Sequence, residues 1–264
     1  MTINLVEQAG LLLLSFVANL LSALAGGGAG LLQFPVLLFL GLSFSSALAT
    51  HKIASVALGL GATLRHLREG GLEWRLALFI LVTGLPGVIV GANLVLRLPE
   101  GWAILCLGLL TAGLGLYSRV KRGLGLTHNE THRDHLGMLT GGIGLFLIGT
   151  LNGSLTSGTG LFVTLWLVRW FGLDYQRAVA FTLILVGIFW NGGGALAVAL
   201  QTPPRWEWLP ALLTGAFLGA YSGAHLALAR GNQLIKRVFE LLTLLIGIKL
   251  TWDGATLLMV SGAG

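Results

Sequence analysis

The sequence predicts an all-α polytopic membrane protein made of two inverted-topology repeats, each a glycine-broken helical hairpin followed by three transmembrane helices. Three observations support this architecture. Of the 264 residues, 55% are hydrophobic and only 10% are charged, whereas soluble domains carry about a quarter charged residues. Several uncharged stretches come close to or exceed the roughly 20 residues of a membrane-spanning helix, as at 79–96, 102–118, 136–168 and 178–201. The two halves of the chain also resemble each other.

The internal repeat appears when the sequence is aligned with itself at offsets of 130 to 132 residues. Matches include Gly28 with Gly158 and Gly30 with Gly160 at 130, Ala49 with Ala180 at 131, and Gly87 with Gly219 at 132. Small loop insertions produce this kind of slow drift in the offset. We therefore divide the chain into an N-terminal repeat at 1–120, a cytoplasmic linker at 121–135 and a C-terminal repeat at 136–264.

Each repeat begins with an apolar region that glycines interrupt, at about 5–42 and 136–172. Three uninterrupted helices then follow in each repeat, at 45–66, 74–97 and 101–119, and at 176–200, 207–229 and 234–258. The helix orientations predicted from the charged loops require each interrupted region to cross the membrane an even number of times. We expect re-entrant or partly re-entrant geometry, in which partial helices meet near the middle of the membrane, with two full spans as the alternative.

Clusters of Arg and Lys predict which helix ends face the cytoplasm. They occur at 65–75, 119–133 and 230–237, and such clusters mark the cytoplasmic side. The corresponding helices of the two repeats then run in opposite directions, and both termini lie outside. Inverted repeats of this kind are typical of secondary transporters. These loops account for the net charge of +6, so we expect no nucleic-acid partner.

The two glycine-rich interruptions form the predicted substrate site. Glycine allows positive φ angles and close approach of a ligand to the backbone. Each interruption also opens a helix, whose free N–H groups and positive dipole end favour anions. The candidate residues are Gly27, Gly28, Gly30 and Gln33 in the first repeat, and Asn152, Ser154, Thr156, Ser157, Gly158 and Thr159 in the second. The alternative is that the glycines only allow tight helix crossing and the hydroxyls only satisfy backbone carbonyls.

A second group of candidates lies in the helices that follow. Lys52, beside Thr50 and His51, sits about 10 Å deep at a rise of 1.5 Å per residue, and a charge at such depth usually faces a cavity or a partner. Its ammonium would bind an anion directly, or else snorkel to the interface. His51 is either a proton carrier or a plain hydrogen-bonded histidine. Thr182 occupies the matching place in the second repeat, and Asn191 is either a cavity donor or part of a helix distortion.

Several other polar residues have structural interpretations. Lys249 and Asp253 are spaced to pair on one helix face, and His225 is expected to be a packing residue. The linker carries three histidines, His128, His132 and His135. A metal would need further ligands in a fixed geometry, so we expect a solvated loop, no metal site and no other cofactor.

The stretch from Ala25 to Ser55, AGGGAGLLQFPVLLFLGLSFSSALATHKIAS, resembles the first signature of the TauE/SafE sulfite exporter family. That signature is a glycine-rich turn, a leucine-rich run with a proline, a glycine, and an Ala-Thr-Asn type motif. The segment GSLTSGTGLF in the second half, with Gly172, Leu173 and Ala178 after it, resembles a degenerate second copy.

The resemblance implies export, or sometimes uptake, of sulfite, sulfoacetate, thiosulfate or related anions across the bacterial inner membrane. It places Gly27, Gly28, Thr50, His51 and Lys52 at the site. The sequence departs from the family pattern in two places. His51 stands where the family commonly has Asn, and the second copy has Leu165 where Pro35 would match.

The predicted function is therefore secondary transport of small sulfur-containing anions, as an exporter, by alternating access around a midplane site. The protein would be a multi-pass inner (plasma) membrane protein with periplasmic termini, whose partners are a small anion and the lipid bilayer; a homodimer remains open. We expect no enzymatic activity. The alternative is a channel or carrier for another small anion or a neutral solute. A remote third hypothesis is an intramembrane serine hydrolase with Ser154 or Ser157 as nucleophile and His51 or His225 as base.

Overall fold

The computed structural model describes residues 5–66, 72–94, 100–155 and 158–261. The first half contains α1 (Leu5–Ala25), α2 (Ala29–Phe39), α3 (Phe44–His66), α4 (Trp74–Leu94) and α5 (Glu100–Val120). The second half contains α6 (His135–Leu155), α7 (Thr159–Trp170), α8 (Tyr175–Phe181), a π-helix (Thr182–Trp190), α9 (Asn191–Ala199), a 3₁₀ turn (Trp206–Trp208) and α10 (Leu209–Ser261). The described residues contain no β-strand.

Six helices of the described chain are long and apolar enough to cross a membrane. They are Leu5–Ala25, Phe44–His66, Trp74–Leu94, His135–Ser154, Tyr175–Ala199 and Trp206–Met259. This confirms a multi-pass helical membrane protein.

The last of these helices is far longer than one membrane span. Its 54 residues would extend roughly 80 Å if straight, whereas the hydrocarbon core is about 30 Å thick. Gly231, with φ 77° and ψ −175°, interrupts the helix. The two arms on either side of Gly231 correspond to the predicted helices at 207–229 and 234–258.

The hairpin at the start of each half has one long arm and one short arm. The first arms, α1 and α6, each have 21 residues, which is enough for a full span. Only the second arms are short: α2 has 11 residues and α7 has 12. One long arm and one short arm in each hairpin fit the partly re-entrant form of the expected geometry, and not a pair of two partial helices.

Glycines bring two pairs of helices into backbone contact. A Cβ on Gly87 of α4 would lie 2.2 Å from the carbonyl oxygen of Phe146 in α6, and one on Gly219 of α10 would lie 2.2 Å from that of Phe16 in α1. Gly219 follows Gly87 by 132 residues, and Phe146 follows Phe16 by 130. Corresponding residues of the two halves thus form the two crossings.

Candidate functional site

The site begins with a break in each hairpin. Between α1 and α2, Gly26, Gly27 and Gly28 have φ angles of 81°, 139° and 99°. Before α7, Gly158 has φ 74°. L-residues with side chains rarely adopt these angles, so the glycines are what allow the chain to turn here. Gly28 and Gly158 are the N-caps of α2 and α7, and neither helix start has a hydrogen-bonded side-chain cap.

The two breaks lie against each other. A Cβ on Gly27 would be 2.6 Å from the carbonyl carbon and 2.7 Å from the Cα of Gly160, so the two backbones are in contact without intervening side chains. The first amides of a helix have no partner within that helix. Two such sets of amides, one from α2 and one from α7, are therefore brought together.

A small cavity of about 40 Å³ lies at this contact. Since a single water needs roughly 10–15 Å³ measured in the same way, the cavity has room for a solute of a few heavy atoms. Eight predicted site residues line it: Gly27, Gly28, Gly30, His51, Asn152, Thr159, Thr182 and Asn191. The lining also includes Ser22, Ser55 and Gly187, which the sequence analysis did not single out.

Lys52 reaches the site indirectly. Its side chain is fully buried, and its Nζ donates to the backbone oxygen of Asn152 at 2.9 Å and to Asn152 Oδ1 at 3.2 Å. Asn152 Nδ2 in turn donates to Thr159 Oγ1 at 2.8 Å. Lys52 therefore does not snorkel, and it is not among the residues that line the cavity. It connects α3 to the second break and fixes the amide of Asn152.

Thr164 connects the two halves on the other side of the contact. Its hydroxyl donates to the carbonyl oxygen of Gly26 at 2.6 Å and shares a 2.9 Å hydrogen bond with the Thr182 hydroxyl. Thr164 and Thr182 are both buried. A side chain of α7 thus holds the first break in place.

His51 and Ser55 form a buried pair on one face of α3. Ser55 Oγ donates to the backbone oxygen of His51 at 2.9 Å and lies 3.2 Å from His51 Nε2. Because the serine has only one proton to donate, Nε2 is the donor in the second contact. His51 is thus a hydrogen-bonded histidine within the cavity wall.

The remaining predicted residues lie elsewhere or carry other bonds. Thr50 donates to the Ser46 carbonyl and accepts from the Arg205 amide. Gln33 is buried beside Asn19, and the Ser154 hydroxyl donates to carbonyls of its own helix. Gly158 is buried against the side chain of Leu31. Thr156 and Ser157 fall outside the described residues.

Asn191 fits both interpretations considered for it, a cavity donor and part of a helix distortion. It lines the cavity and directly follows the π-helix. π-Helical segments are rare and occur frequently at functional sites. Thr182 and Gly187, which also line the cavity, belong to that same segment. The π-helix is therefore located where the second half of the chain meets the cavity.

The residues that were given structural roles have clear contacts. Lys249 pairs with Asp253, as predicted. His225 is exposed and accepts a hydrogen bond from Arg65 at 3.1 Å, so its expected packing role was wrong.

The linker is largely solvent-exposed, as expected, and it also makes specific contacts with the end of α7. His132 stacks on Trp170 with ring centroids 4.3 Å apart, and the amides of Asn129 and Thr131 donate to the carbonyls of Gly172 and Phe171. A metal-ligand cluster of three or more His, Cys, Asp or Glu side chains is absent from the part of the chain that the structure describes. Of the three histidines, His132 therefore packs at the end of α7, whereas His128 lies near Glu130 and His135 is exposed at the start of α6.

Comparison with protein families identifies the chain. The family model for the sulfite exporter TauE/SafE matches residues 11–250. The chain belongs to the TauE/SafE family. TauE/SafE proteins are membrane transporters, and this agrees with the six apolar helices described above.

Relatives of this TauE/SafE protein carry similarly general descriptions. The chain is 27% identical over 247 residues to a "Probable membrane transporter protein" of Haemophilus influenzae, covering 90% of this chain and 92% of the relative. It is 28% identical over 243 residues to the "Probable membrane transporter protein YfcA" of Escherichia coli K12, covering 92% and 89%. It is 22% identical over 267 residues to the "Probable membrane transporter protein YunE" of Bacillus subtilis, covering 92% and 97%. No solved structure matches the chain.

Proposed function

We propose that this TauE/SafE protein is a secondary transporter that exports small sulfur oxyanions, of the class of sulfite, sulfoacetate and other organosulfonates. The observation that carries the proposal is the meeting of two uncapped helix starts, α2 and α7, at one small buried cavity. Helix N-termini favour anions through their free N–H groups and positive dipole ends. Two of them at one cavity suit the oxygens of a compact anion.

The chemistry of the lining supports an anion over a cation. The Ser22 hydroxyl and the Asn191 amide in the lining can donate hydrogen bonds to a solute. The single protons of Ser55 and Thr182 are already used in the bonds to His51 and Thr164. Among the described residues no Asp or Glu lines the cavity, so nothing there would compensate a bound cation.

The buried charge of Lys52 adds to this preference. Its ammonium is bonded to the neutral Asn152, and no ion pair with a described carboxylate neutralises it. A charge is felt more strongly in a low-dielectric interior than in water. When protonated, Lys52 therefore raises the positive potential near the cavity, and in either state it acts on the solute through Asn152 and not by direct contact.

Correspondence between the halves supports alternating access between inverted repeats. The crossings of α4 with α6 and of α10 with α1 use corresponding residues. The cavity is also lined by corresponding pairs, such as Ser22 with Asn152 and Gly30 with Gly160. In inverted-repeat transporters the substrate lies between the repeats and one repeat rocks against the other. An inside-negative potential of 100 mV would favour anion export by about 2.3 kcal/mol per charge.

Ligand-dependent thermal stabilisation of the purified protein tests this proposal. Sulfite, thiosulfate, sulfoacetate, taurine and lactate are added in turn, and the melting temperature is followed as a function of concentration. Sulfite or sulfoacetate should raise the melting temperature with the concentration dependence expected for a ligand of the folded state. Proteoliposomes loaded with the stabilising anion should then release it. Stabilisation by lactate alone, or none by any sulfur oxyanion, would contradict the proposed substrate class.

A further inference from the structure

A second buried polar cluster lies outside the cavity, between α1 and α2. It consists of Ser15, Asn19 and Gln33, each fully buried. Asn19 Nδ2 donates to the backbone oxygen of Ser15 at 2.7 Å and to Gln33 Oε1 at 3.2 Å, and Ser15 Oγ donates to the carbonyl of Leu212 in α10 at 2.7 Å. The cluster thus joins three helices.

The hydrogen bonds of this cluster leave two groups unsatisfied. Asn19 Oδ1 and Gln33 Nε2 are buried and have no hydrogen-bond partner among the described residues. Exchanging the two ends of either amide does not help, because Asn19 has to present its nitrogen to Ser15 and Gln33 its oxygen to Asn19. Leaving a polar group unpaired away from water is costly, so the unused acceptor of Asn19 and the unused donor of Gln33, on two amides that are bonded to each other, indicate that something else binds there.

The cluster continues directly from the cavity. Leu11, Ser15, Asn19 and Ser22 are spaced by four, four and three residues, which places them on one face of α1, and Ser22 lines the cavity. Gln33 lies three residues beyond Gly30, another lining residue. Beyond Ser15, Leu11 packs in an apolar cluster with Trp208 and Leu212. Polar groups therefore extend from the cavity along α1 and stop at an apolar layer.

The corresponding face of α6 has no such groups. At an offset of 130, Ser15 and Asn19 correspond to Leu145 and Gly149. Leu145 is fully buried, and Gly149 is packed against the Gly84 carbonyl, where a Cβ would lie at 2.3 Å. Packing of the repeats therefore does not require polar residues at these positions.

We propose that Ser15, Asn19 and Gln33 form a second solute-binding position on a route that runs from the cavity along α1 to the membrane face where α1 begins. The solute is the transported oxyanion with its accompanying water: Gln33 Nε2 donates to an oxyanion oxygen, and Asn19 Oδ1 accepts from the water. The apolar layer of Leu11, Trp208 and Leu212 closes the route in this conformation. The inference depends on the transport function proposed above.

Cysteine accessibility tests the route independently of flux. In a Cys106→Ala background, Asn19→Cys is exposed to a membrane-impermeant, negatively charged methanethiosulfonate reagent from each side of sealed vesicles. Asn19→Cys should react from the side on which α1 begins, at least tenfold faster than Thr243→Cys, and sulfite should slow the reaction. Thr243 is the matched control because it is equally buried and lies in the second arm of α10. Equal rates for the two variants from both sides would overturn the route.

The substitution Gln33→Met distinguishes an effect on sulfite efflux from an effect on sulfite binding at the cavity. It keeps the side-chain length and removes both polar atoms, so sulfite efflux from proteoliposomes should fall at least tenfold while sulfite still stabilises the protein thermally. Unchanged efflux would show that the cluster is structural. If sulfite fails to stabilise even the unmodified protein, the proposed substrate is wrong, whereas the labelling of Asn19→Cys still decides the route.

Discussion

At the scale of single residues, the site depends on polar side chains that hold backbone in place. Lys52 fixes Asn152, and Thr164 fixes Gly26, each across a large separation in sequence. Such bonds are strong in a low-dielectric interior, and leaving one partner unpaired there is costly. Their removal should therefore alter transport through the shape of the breaks.

The substitution Lys52→Met tests the role of the buried charge. Methionine can fill much of the space, but both oxygens of Asn152 lose the ammonium donor, and the positive potential at the cavity falls. We expect sulfite efflux to drop at least tenfold, with a stability loss of roughly 1–3 kcal/mol, measured by proteoliposome flux and thermal denaturation. Lys249→Met, on an exposed pair, is the matched control. Wild-type efflux in Lys52→Met would remove Lys52 from the mechanism.

Thr164→Val isolates the bond to the first break. Valine has nearly the same shape but cannot donate to Gly26, so the carbonyl loses its 2.6 Å partner. We expect destabilisation of roughly 1–3 kcal/mol and weaker stabilisation by sulfite, followed by thermal denaturation with and without the anion. Thr214→Val, which removes an exposed hydroxyl bonded only within its own helix, should leave both measurements unchanged. Equal behaviour of the two variants would show that Thr164 does not organise the site.

Sequence reasoning found the candidate residues more reliably than it found their contacts. Eight predicted residues line the cavity because the glycine breaks and their matching positions are visible in a single sequence. Thr50 and Gln33 do not line the cavity, because adjacent residues in a helix point to different faces. Thr50, for example, accepts a hydrogen bond from Arg205, whereas His51 faces the cavity. Ser55 was detectable in principle, since it lies four residues after His51, on the same face.

At the scale of elements, the short helices α2 and α7 are what distinguish the breaks from ordinary loops. At 11 and 12 residues they extend about 17–18 Å, well short of a membrane span. Their starts therefore lie inside the protein, where Gly27 meets Gly160. The sequence predicted these interruptions but not the difference in length between the two arms, because hydrophobic composition does not show which of several glycines ends a helix.

Gly27→Ala should be among the most damaging single methyl additions in the protein. The residue has φ 139°, and the added Cβ would lie 2.6–2.7 Å from the backbone of Gly160, so both strain and overlap oppose it. We expect a loss of at least ~3 kcal/mol and no sulfite-dependent stabilisation, read from thermal denaturation. Gly113→Ala meets nothing within 4 Å on α5 and should instead stabilise by about 0.5–1 kcal/mol. Similar melting temperatures for the two variants would contradict the contact between the breaks.

At the scale of the whole molecule, the two halves are interleaved. α1 packs on the first arm of α10, and α6 packs on α4. Each hairpin is therefore in contact with a helix from the other half. A self-alignment of the sequence reveals the repeat but not this exchange, because matching residues say nothing about which copy they contact. The exchange makes the protein a single packed unit and not two domains joined by a linker.

Alanine at Gly87 and at Gly219 tests whether the crossings are equivalent. In each case the new Cβ would lie 2.2 Å from a carbonyl oxygen of the facing helix, so each helix pair would have to separate. We expect both single variants to lose similar stability, on the order of 1–3 kcal/mol, as measured by thermal denaturation. A large loss of stability for one variant and none for the other would show that the two crossings contribute unequally to stability.

The glycine crossings also bear on how the protein moves. At Gly87 and Gly219 the facing backbone lies where a side chain would otherwise stand, so these two positions offer no side chain that would resist lengthwise displacement of one helix along the other. Small sliding displacements of this kind are one of the established ways in which packed elements rearrange. Since both crossings join one half of the chain to the other, close packing and relative displacement of the halves depend on the same missing methyl groups.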